Sequence, residues 1–396
     1  MDTYTFSTAA QGLSSSVIRE ILKVTEQPKV ISFAGGLPSP KSFPVQEIKD
    51  SFDKVLKDYP LAALQYGPSE GYRPLREWIA ADFTQKGVKV DVDEVLVVSG
   101  SQQGIEMLGH CFVEPGAKLL VESPTYLGAL QAFSLFQPHY ETVSTDDEGL
   151  LPESITAEKA KNARFIYCLP NFQNPTGRTL SLARRQDLVK KAVEHHLPIV
   201  EDDPYGELRY EGEALPSLLQ LGREAGATVI RFGTFSKILA PGLRMAYIIA
   251  PKEIIAKLVQ IKQAIDLHSP SINQMAIYET IKDGFLKTHI PKIQALYQAQ
   301  CQYMLNAMDK EFPKNVSWTR PKGGMFLWVT LPENVDTTSL LKRSVEEKSV
   351  AYVPGEAFYT QAIKPKNNMR LSFVTVSKEK IDEGIAGLGA LLKEVI

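Results

Sequence analysis

The chain has 396 residues, 44% of them hydrophobic and 23% charged, with a net charge of -2 at pH 7. Such a length suits one large domain with a smaller one, and the composition is that of an ordinary globular protein. A charge balance this close to zero offers no field for a polyanion and argues against nucleic acid as a partner. Cys111, Cys168 and Cys301 lie far apart and form no zinc or redox spacing, so they read as small buried apolar groups in a reducing compartment. Met1 to Gly12 lacks a basic start followed by an apolar run, so no signal peptide is expected. No apolar run approaches the ~18 residues of a membrane span. The expectation is a soluble cytoplasmic protein.

In chain order, Val17, Ile21, Leu22 and Val24 predict a helix over Ser14 to Gln27, with serines placed to cap it. Ile31-Ser32-Phe33-Ala34 reads as a short strand ending in Gly35-Gly36, either a solvated turn or a place where backbone approaches a ligand. Helical spacing returns at Val45, Ile48, Phe52, Val55 and Leu56, and again from Pro74 to Gln85 after the turn Gln65-Tyr66-Gly67-Pro68. From Val95 short apolar strands alternate with helices. Strands are predicted at Val95–Val98, Leu119–Val121, Phe165–Cys168, Pro198–Val200, Val229–Phe232 and Ala246–Ile249. Helices are predicted at Gln102–Phe112, Tyr126–Phe136 and Leu182–His195. Fully apolar strands separated by helices imply an α/β fold, a mostly parallel sheet covered on both faces. Beyond Pro270 the chain reads as helical to about Lys310. Strands near Val316–Trp318, Phe326–Thr330, Val350–Val353 and Met369–Phe373, a helix around Thr338–Glu347 and a last helix from Lys378 then make a smaller α+β unit.

Ligands of such sheets bind beyond the carboxyl ends of the strands. Ser99, Asn174, Asp202 and Ser236-Lys237 all fall just after a predicted strand. Ser99-Gly100-Ser101-Gln102-Gln103-Gly104 closes a strand and opens a helix whose free amides make an anion site, although Ser101 could equally be a plain cap. Its glycine spacing is not the dinucleotide fingerprint, which disfavours a nicotinamide dehydrogenase. In Asn171-Phe172-Gln173-Asn174-Pro175-Thr176-Gly177 the asparagine before proline is held extended and can aim its amide into a cleft; taken alone the heptad is also a turn. Asp202 follows the apolar Ile199-Val200, so its carboxylate is expected to be half buried and to need a cation or several donors. Gly233 to Arg244 sets Lys237 among small hydroxyl residues, with Pro241-Gly242 forbidding a long helix, so the lysine can end in a cleft.

Together these groups fit one ligand, a phosphorylated pyridine aldehyde. The run SGSQQG, NPTG, DDPY and SK…GLR resembles the class I aminotransferases among the fold type I pyridoxal phosphate enzymes, over nearly the whole chain. IREILK, SFAGGLP and QYGPSEGY resemble the 2-aminoadipate and kynurenine aminotransferase branch in particular. That resemblance implies a large three-layer domain over residues 46–285, a small C-terminal domain over 286–396, and an N-terminal arm and lid helix over 1–45 that joins the small domain.

It also implies roles. Lys237 would form the Schiff base with pyridoxal 5'-phosphate, Asp202 would keep the ring nitrogen protonated, and Asn174 and Tyr205 would bond the ring oxygen. A carboxylate ~4 Å from a pyridinium is worth about 4 kcal/mol of gross attraction at an effective dielectric near 20. Ser101, Gln102, Ser236 and Arg244 would hold the phosphate, with Tyr66 reaching in from a second subunit of a homodimer whose active sites are shared. Tyr126 would stack on the ring. Arg370, with Asn174, would clamp the substrate α-carboxylate, a bidentate task for which lysine is a poor substitute. Gly36 would offer its backbone to the substrate, and Arg19 would meet a side-chain carboxylate. No metal is implied.

Aspartate aminotransferases carry an arginine at the start of the helical region after the large domain, whereas Lys262 to Asn273 contains none, which disfavours aspartate as donor. The expected activity moves the amino group of a 2-aminoadipate-like, aromatic or other longer-chain amino acid to a 2-oxo acid such as 2-oxoglutarate. A β-lyase or decarboxylase on the same fold is the rival chemistry. From another class, a cofactor-binding regulatory module without turnover is disfavoured by the short segment before the first predicted helix and the lack of a basic patch.

Overall fold

The computed structural model describes residues 4–13, 21, 29–360 and 364–396. Its centre is a seven-stranded sheet in the order Val95–Val98, Ala246–Ile249, Val229–Thr234, Ile199–Asp202, Ala163–Cys168, Lys118–Glu122 and His139–Val143. Ala246–Ile249 runs antiparallel to both neighbours and every other pairing is parallel. The strands are apolar without alternation because both faces are covered. Leu96 and Val98 enter one core with Ile105, Leu108, Ile255 and Leu258, whereas Val95 and Val97 enter the other with Leu75, Ile79 and Ile277. Successive residues of a strand point to opposite faces, so a run of four apolar residues serves two cores.

A second sheet of four antiparallel strands, in the order Ser317–Trp318, Phe326–Thr330, Asn368–Ser372 and Val353–Pro354, lies toward the C-terminus. The final helix Lys378–Val395 packs along Leu286–Glu311 and approaches it closely at Gly389, where a Cβ would stand 2.6 Å from the Glu311 carbonyl oxygen. The N-terminal strand Ile31–Ser32 pairs in parallel with Val350–Ala351, and the Phe33 carbonyl accepts the Ser372 amide at 2.7 Å. The chain then carries Ala34, Gly35 and Gly36 to the carboxyl ends of the central sheet, within reach of Lys237 and Arg370.

The structure corrects several expectations. Val350–Val353 is not one strand: Val350–Ala351 joins the N-terminal strand and Val353–Pro354 joins the four-stranded sheet. His139–Val143 is an edge strand, half-buried along most of its length, so its pattern carries no apolar run. Cys168 and Cys301 are buried as expected, but Cys111 is only partly so. The helix predicted over Ser14 to Gln27, and Arg19 with it, lies outside the described residues apart from Ile21, which is helical and buried. No helix among the described residues is long and apolar enough to cross a membrane.

Candidate active site

The strand Ile199–Asp202 and the residue after it present three carboxylates in a row, and the fold neutralises two of them. Glu201 is fully buried and accepts the Leu218 and Leu219 amides at 2.9 Å each, where the helix Leu218–Ala225 begins. It also pairs with Arg231 at 2.6 Å, and Asp203 takes the other arm of that guanidinium at 2.6 Å. Asp202 has no ion pair among the described residues. Its Oδ2 accepts the Tyr167 hydroxyl at 2.5 Å, and it is 3% exposed. Burial pushes the Asp202 pKa up to about 6 while the Tyr167 hydrogen bond works against that rise. A buried carboxylate without a cation is costly, and a protonated ring nitrogen is the kind of group that would relieve it.

Lys237 sits in the turn that follows Val229–Thr234. Its Nζ donates to the Gly36 carbonyl at 3.0 Å and lies 6.0 Å from the centre of the Tyr205 ring. Burial, then the guanidiniums of Arg370 and Arg244, bring its pKa down to about 8. An amine held in that range is a competent nucleophile and base, unlike an ordinary surface lysine.

Arg370 does not face water. It sits in the strand Asn368–Ser372, between two neighbours, and is 1% exposed. Nη1 donates to Asn174 Oδ1 at 2.8 Å and Nη2 to the Ala34 carbonyl at 2.7 Å. The guanidinium lies against Phe326 at 4.3 Å and Phe358 at 5.3 Å. Every one of those partners is neutral, Nε is buried with no partner among the described residues, and burial lowers the pKa to about 10. A buried cation with a spare donor fits a carboxylate ligand. Tyr205 is also buried and stands edge-on at 5.8 Å to Phe326, the ring that the Arg370 guanidinium lies against.

The anion cup is built where Val95–Val98 turns into the helix Ser101–Phe112. Gly100 is the N-terminal cap with φ +89, and a Cβ there would stand 2.3 Å from Arg244 Nη2. Only glycine lets the guanidinium lie against the helix start. Ser101 is the first helical residue rather than the cap, and its buried Oγ has no partner among the described residues. Free amides, an orphaned hydroxyl and a guanidinium converge there, as an anion requires. Ser236 follows the same strand as Lys237 and donates its amide to Thr234 Oγ1 at 3.1 Å. Gln102 is exposed and spends its side chain on the Gly128 carbonyl at 2.8 Å.

Tyr126 caps the helix Leu127–Ser134 from outside. Burial, then Asp202, pushes its hydroxyl pKa up to about 12, with Arg370 and Arg244 opposing. Tyr66 stands 78% exposed, edge-on to His268 at 5.8 Å, outside the Lys237 group of its own chain. Two contributors carry no sequence signal. Tyr167 lies within a buried strand and meets Asp202 from 35 residues away. Arg185, in a run that reads as a basic helix face, is fully buried and donates to the carbonyls of Leu180, Pro216 and Pro170 and to Asn171 Oδ1, fixing the loop that leads to Asn174.

Residues 30–388 match the family model for aminotransferase class I and II. The 2-aminoadipate transaminase of Thermus thermophilus is 44% identical over 99% of this chain and 97% of its own length. The crystal structure of the α-aminoadipate aminotransferase from that organism, complexed with N-(5'-phosphopyridoxyl)-L-leucine, superposes with a TM-score of 0.91 at 42% identity, covering 98% of this chain and 97% of the other. The kynurenine aminotransferase of Pyrococcus horikoshii superposes at 0.93 with 42% identity, over 99% and 97% of the two chains. The chain belongs to the class I and II aminotransferases, pyridoxal-phosphate-dependent enzymes of fold type I that act on amino acids.

Proposed function

We propose that this enzyme transfers the amino group of a longer-chain amino acid, 2-aminoadipate-like or aromatic, to a 2-oxo acid, with 2-oxoglutarate as the acceptor. The donor class rests on relatives named for 2-aminoadipate, aromatic amino acids and kynurenine at 42–44% identity. The observation that carries the site is two unmatched charges: among the described residues Asp202 is buried without a cation and Arg370 without an anion, and Arg370 also helps lower the Lys237 pKa.

The residues fit pyridoxal phosphate. The orphaned Ser101 hydroxyl, the Gly100 cradle and Arg244 suit its phosphate, and Gln102, Ser236 and the partner's copy of Tyr66 complete that set. Asp202 suits the ring nitrogen, Asn174 and Tyr205 the ring oxygen, and Tyr126 the ring face. Bound there, the cofactor supplies an aldehyde that condenses with amines and a protonated ring that accepts the electrons of the substrate's Cα–H bond.

Each residue then has a task. The Arg370 fork, steadied by Asn174, holds the α-carboxylate and orients the Cα–H bond. Gly36 borders the substrate space, since its carbonyl already faces Lys237 Nζ and its α-carbon faces Phe326. Lys237 Nζ would hold the cofactor's aldehyde and, as a free amine, would take the Cα proton. Its lowered pKa leaves a useful unprotonated fraction near neutrality. Arg19 is assigned to the far carboxylate of an acidic donor.

Two further assignments belong here. A homodimer is supported by the exposed apolar run Tyr59, Leu61, Leu64 and Tyr66, between 50% and 86% exposed, which a second copy would cover. A reducing compartment, the cytoplasm, is supported by three free thiols. The deciding experiment is a donor panel with 2-oxoglutarate, following glutamate. Glutamate from 2-aminoadipate or aromatic donors supports the reading. Release of ammonia or carbon dioxide from the amino acid alone, with no need for an oxo acid, would overturn it in favour of a lyase or decarboxylase.

A further inference from the structure

Behind the anion cup lies a charge pair that none of the roles above uses. Lys262 occupies the last turn of the helix Lys252–Ile265, and its side chain is completely buried. Its Nζ donates to Gln103 Oε1 at 2.8 Å and to Asp266 Oδ1 and Oδ2 at 3.0 and 3.1 Å. Gln103 passes this on: Oε1 also accepts the Ser99 amide at 2.8 Å, and Nε2 donates to Asp266 Oδ2 at 2.5 Å. Ser99 Oγ in turn donates to Asp266 Oδ2 at 3.2 Å and meets Ser269 Oγ at 2.8 Å. The turn Ser99-Gly100-Ser101 is thus held from below by a carboxylate and a buried ammonium bridged by one glutamine.

This arrangement has an electrostatic problem with one solution. Asp266 is the acceptor that orders Ser99 and Gln103, yet it places a negative charge against Ser99, two residues before the Ser101 hydroxyl. Left alone it would repel a phosphate; like charges at such range lower affinity steeply. A lysine is almost never buried unless it is paired, and burial here lowers its pKa, so its position has a physical cost. The two difficulties cancel when the pair is complete, because Asp266 keeps its hydrogen bonds while its field is neutralised.

We propose that Lys262 is a positioning residue for phosphate recognition: it neutralises Asp266 and locks Gln103, so that Ser99-Gly100-Ser101 presents its donors to a dianion. The inference rests on the assignment of the cofactor phosphate to Ser101 and Arg244. It makes affinity for the phosphate, and not for the pyridine ring, the quantity that depends on Lys262.

The test compares pyridoxal phosphate with pyridoxal, which lacks only the phosphate, by equilibrium dialysis against the cofactor-free full-length chain. In Lys262→Met, affinity for pyridoxal phosphate is expected to fall roughly tenfold or more, the scale for removing the buried partner of a hydrogen-bonded charge pair. Affinity for pyridoxal is expected to change by less than about twofold, since the ring contacts are untouched. The double variant Lys262→Met/Asp266→Asn removes both charges and is expected to recover most of the loss. Asp266→Asn alone keeps the ammonium and is expected to retain at least the wild-type preference for the phosphorylated form, which tests the idea even if Lys262→Met does not fold. Equal losses for both vitamers in Lys262→Met would mean general unfolding of the site and would overturn the inference. So would a reduced phosphate preference in Asp266→Asn. A wild-type chain that binds both vitamers alike would overturn the placement of the phosphate itself. A wild type that prefers the phosphorylated form, with Lys262→Met unchanged, would overturn the role of Lys262 alone.

Discussion

Tyr167 Oη donates to Asp202 Oδ2 across 2.5 Å, and both side chains are buried. The bond favours the ionised carboxylate, against the burial that pushes the Asp202 pKa up to about 6. Tyr167 is thereby the direct support of the charge assigned to the cofactor's ring nitrogen. Tyr167→Phe keeps the ring, which packs edge-on to Phe133 at 5.9 Å, and removes the donor alone. The Asp202 pKa is expected to rise, so a larger share is neutral near pH 7. The acid limb of the kcat profile should therefore move to higher pH, with kcat at neutrality falling about tenfold, the scale of one charge-assisted hydrogen bond. An acid limb that stays in place would show that Tyr167 only fills space.

Lys237 offers a pH test that needs no cofactor. Its folded pKa is depressed to about 8 from 10.5. Below about pH 8 the folded and unfolded chains both hold the proton, and the cost of burying the ammonium is felt in full. Between about 8 and 10.5 the unfolded chain keeps a proton that the folded chain has shed, so this group's contribution to stability rises with pH. The cofactor-free Lys237→Met variant is accordingly expected to be more stable than wild type at pH 7, by a margin that shrinks toward pH 10 in parallel urea titrations. The same substitution, or Lys237→Ala, should abolish both the imine absorbance and turnover. A constant margin across pH would refute the depressed pKa.

Arg370 gives a prediction about donors. Lysine at that position keeps a charge but loses the fork that reaches Asn174 Oδ1 and the Ala34 carbonyl together. Arg370→Lys is expected to raise KM about tenfold or more for every amino acid donor alike, because all of them share the α-carboxylate. An effect confined to one donor would move Arg370 from carboxylate recognition to side-chain selection. Steady-state kinetics on three donors suffices.

Much of this is legible in the residues, and the reason is local. A short apolar run marks a strand, and the polar residues at its carboxyl end lie at a sheet end; Asp202, after Ile199-Val200, and Lys237, after Val229–Thr234, are found that way. What stays hidden is contact between distant segments. Nothing in Ala163–Cys168 marks Tyr167 as the partner of a carboxylate in another strand. Arg185 sits in a sequence that reads as a solvated helix face, yet four acceptors drawn from two loops surround its guanidinium. Lys262 enters the sequence reading only through the lack of arginine around it, whereas its side chain ties helix to cup. The split of Val350–Val353 between two sheets is equally invisible, since each half is apolar and buried.

The exposed run beside Tyr66 predicts assembly. Leu61 and Leu64 are 86% and 73% exposed on the short helix Pro60–Leu64, five and two residues before Tyr66. Placing aspartate at both positions puts two charges on a face assigned to a second copy, at a cost that a desolvated interface does not tolerate. The double variant is expected to sediment as a monomer and to lose cofactor affinity along with activity, since Tyr66 then reaches no partner. A variant that sediments as a monomer and retains full activity would remove Tyr66 from the site.

Gly100 separates backbone strain from loss of function. Its φ of +89 suits glycine, and a Cβ would stand 2.3 Å from Arg244 Nη2. Gly116 has a similar φ of +80 but nothing within 4 Å of the position a Cβ would take. Alanine at either site brings the same kind of conformational penalty, about 1–3 kcal/mol. Only Gly100→Ala also drives the guanidinium off the helix start. Both variants are therefore expected to unfold at lower urea concentration, and only Gly100→Ala to bind pyridoxal phosphate more weakly, by roughly tenfold for one displaced charge-assisted contact. The KM for amino donors, governed by Arg370, should hold in both once cofactor is saturating. If the two substitutions weaken cofactor binding equally, the close approach of Arg244 to the helix start has no part in recognising the phosphate.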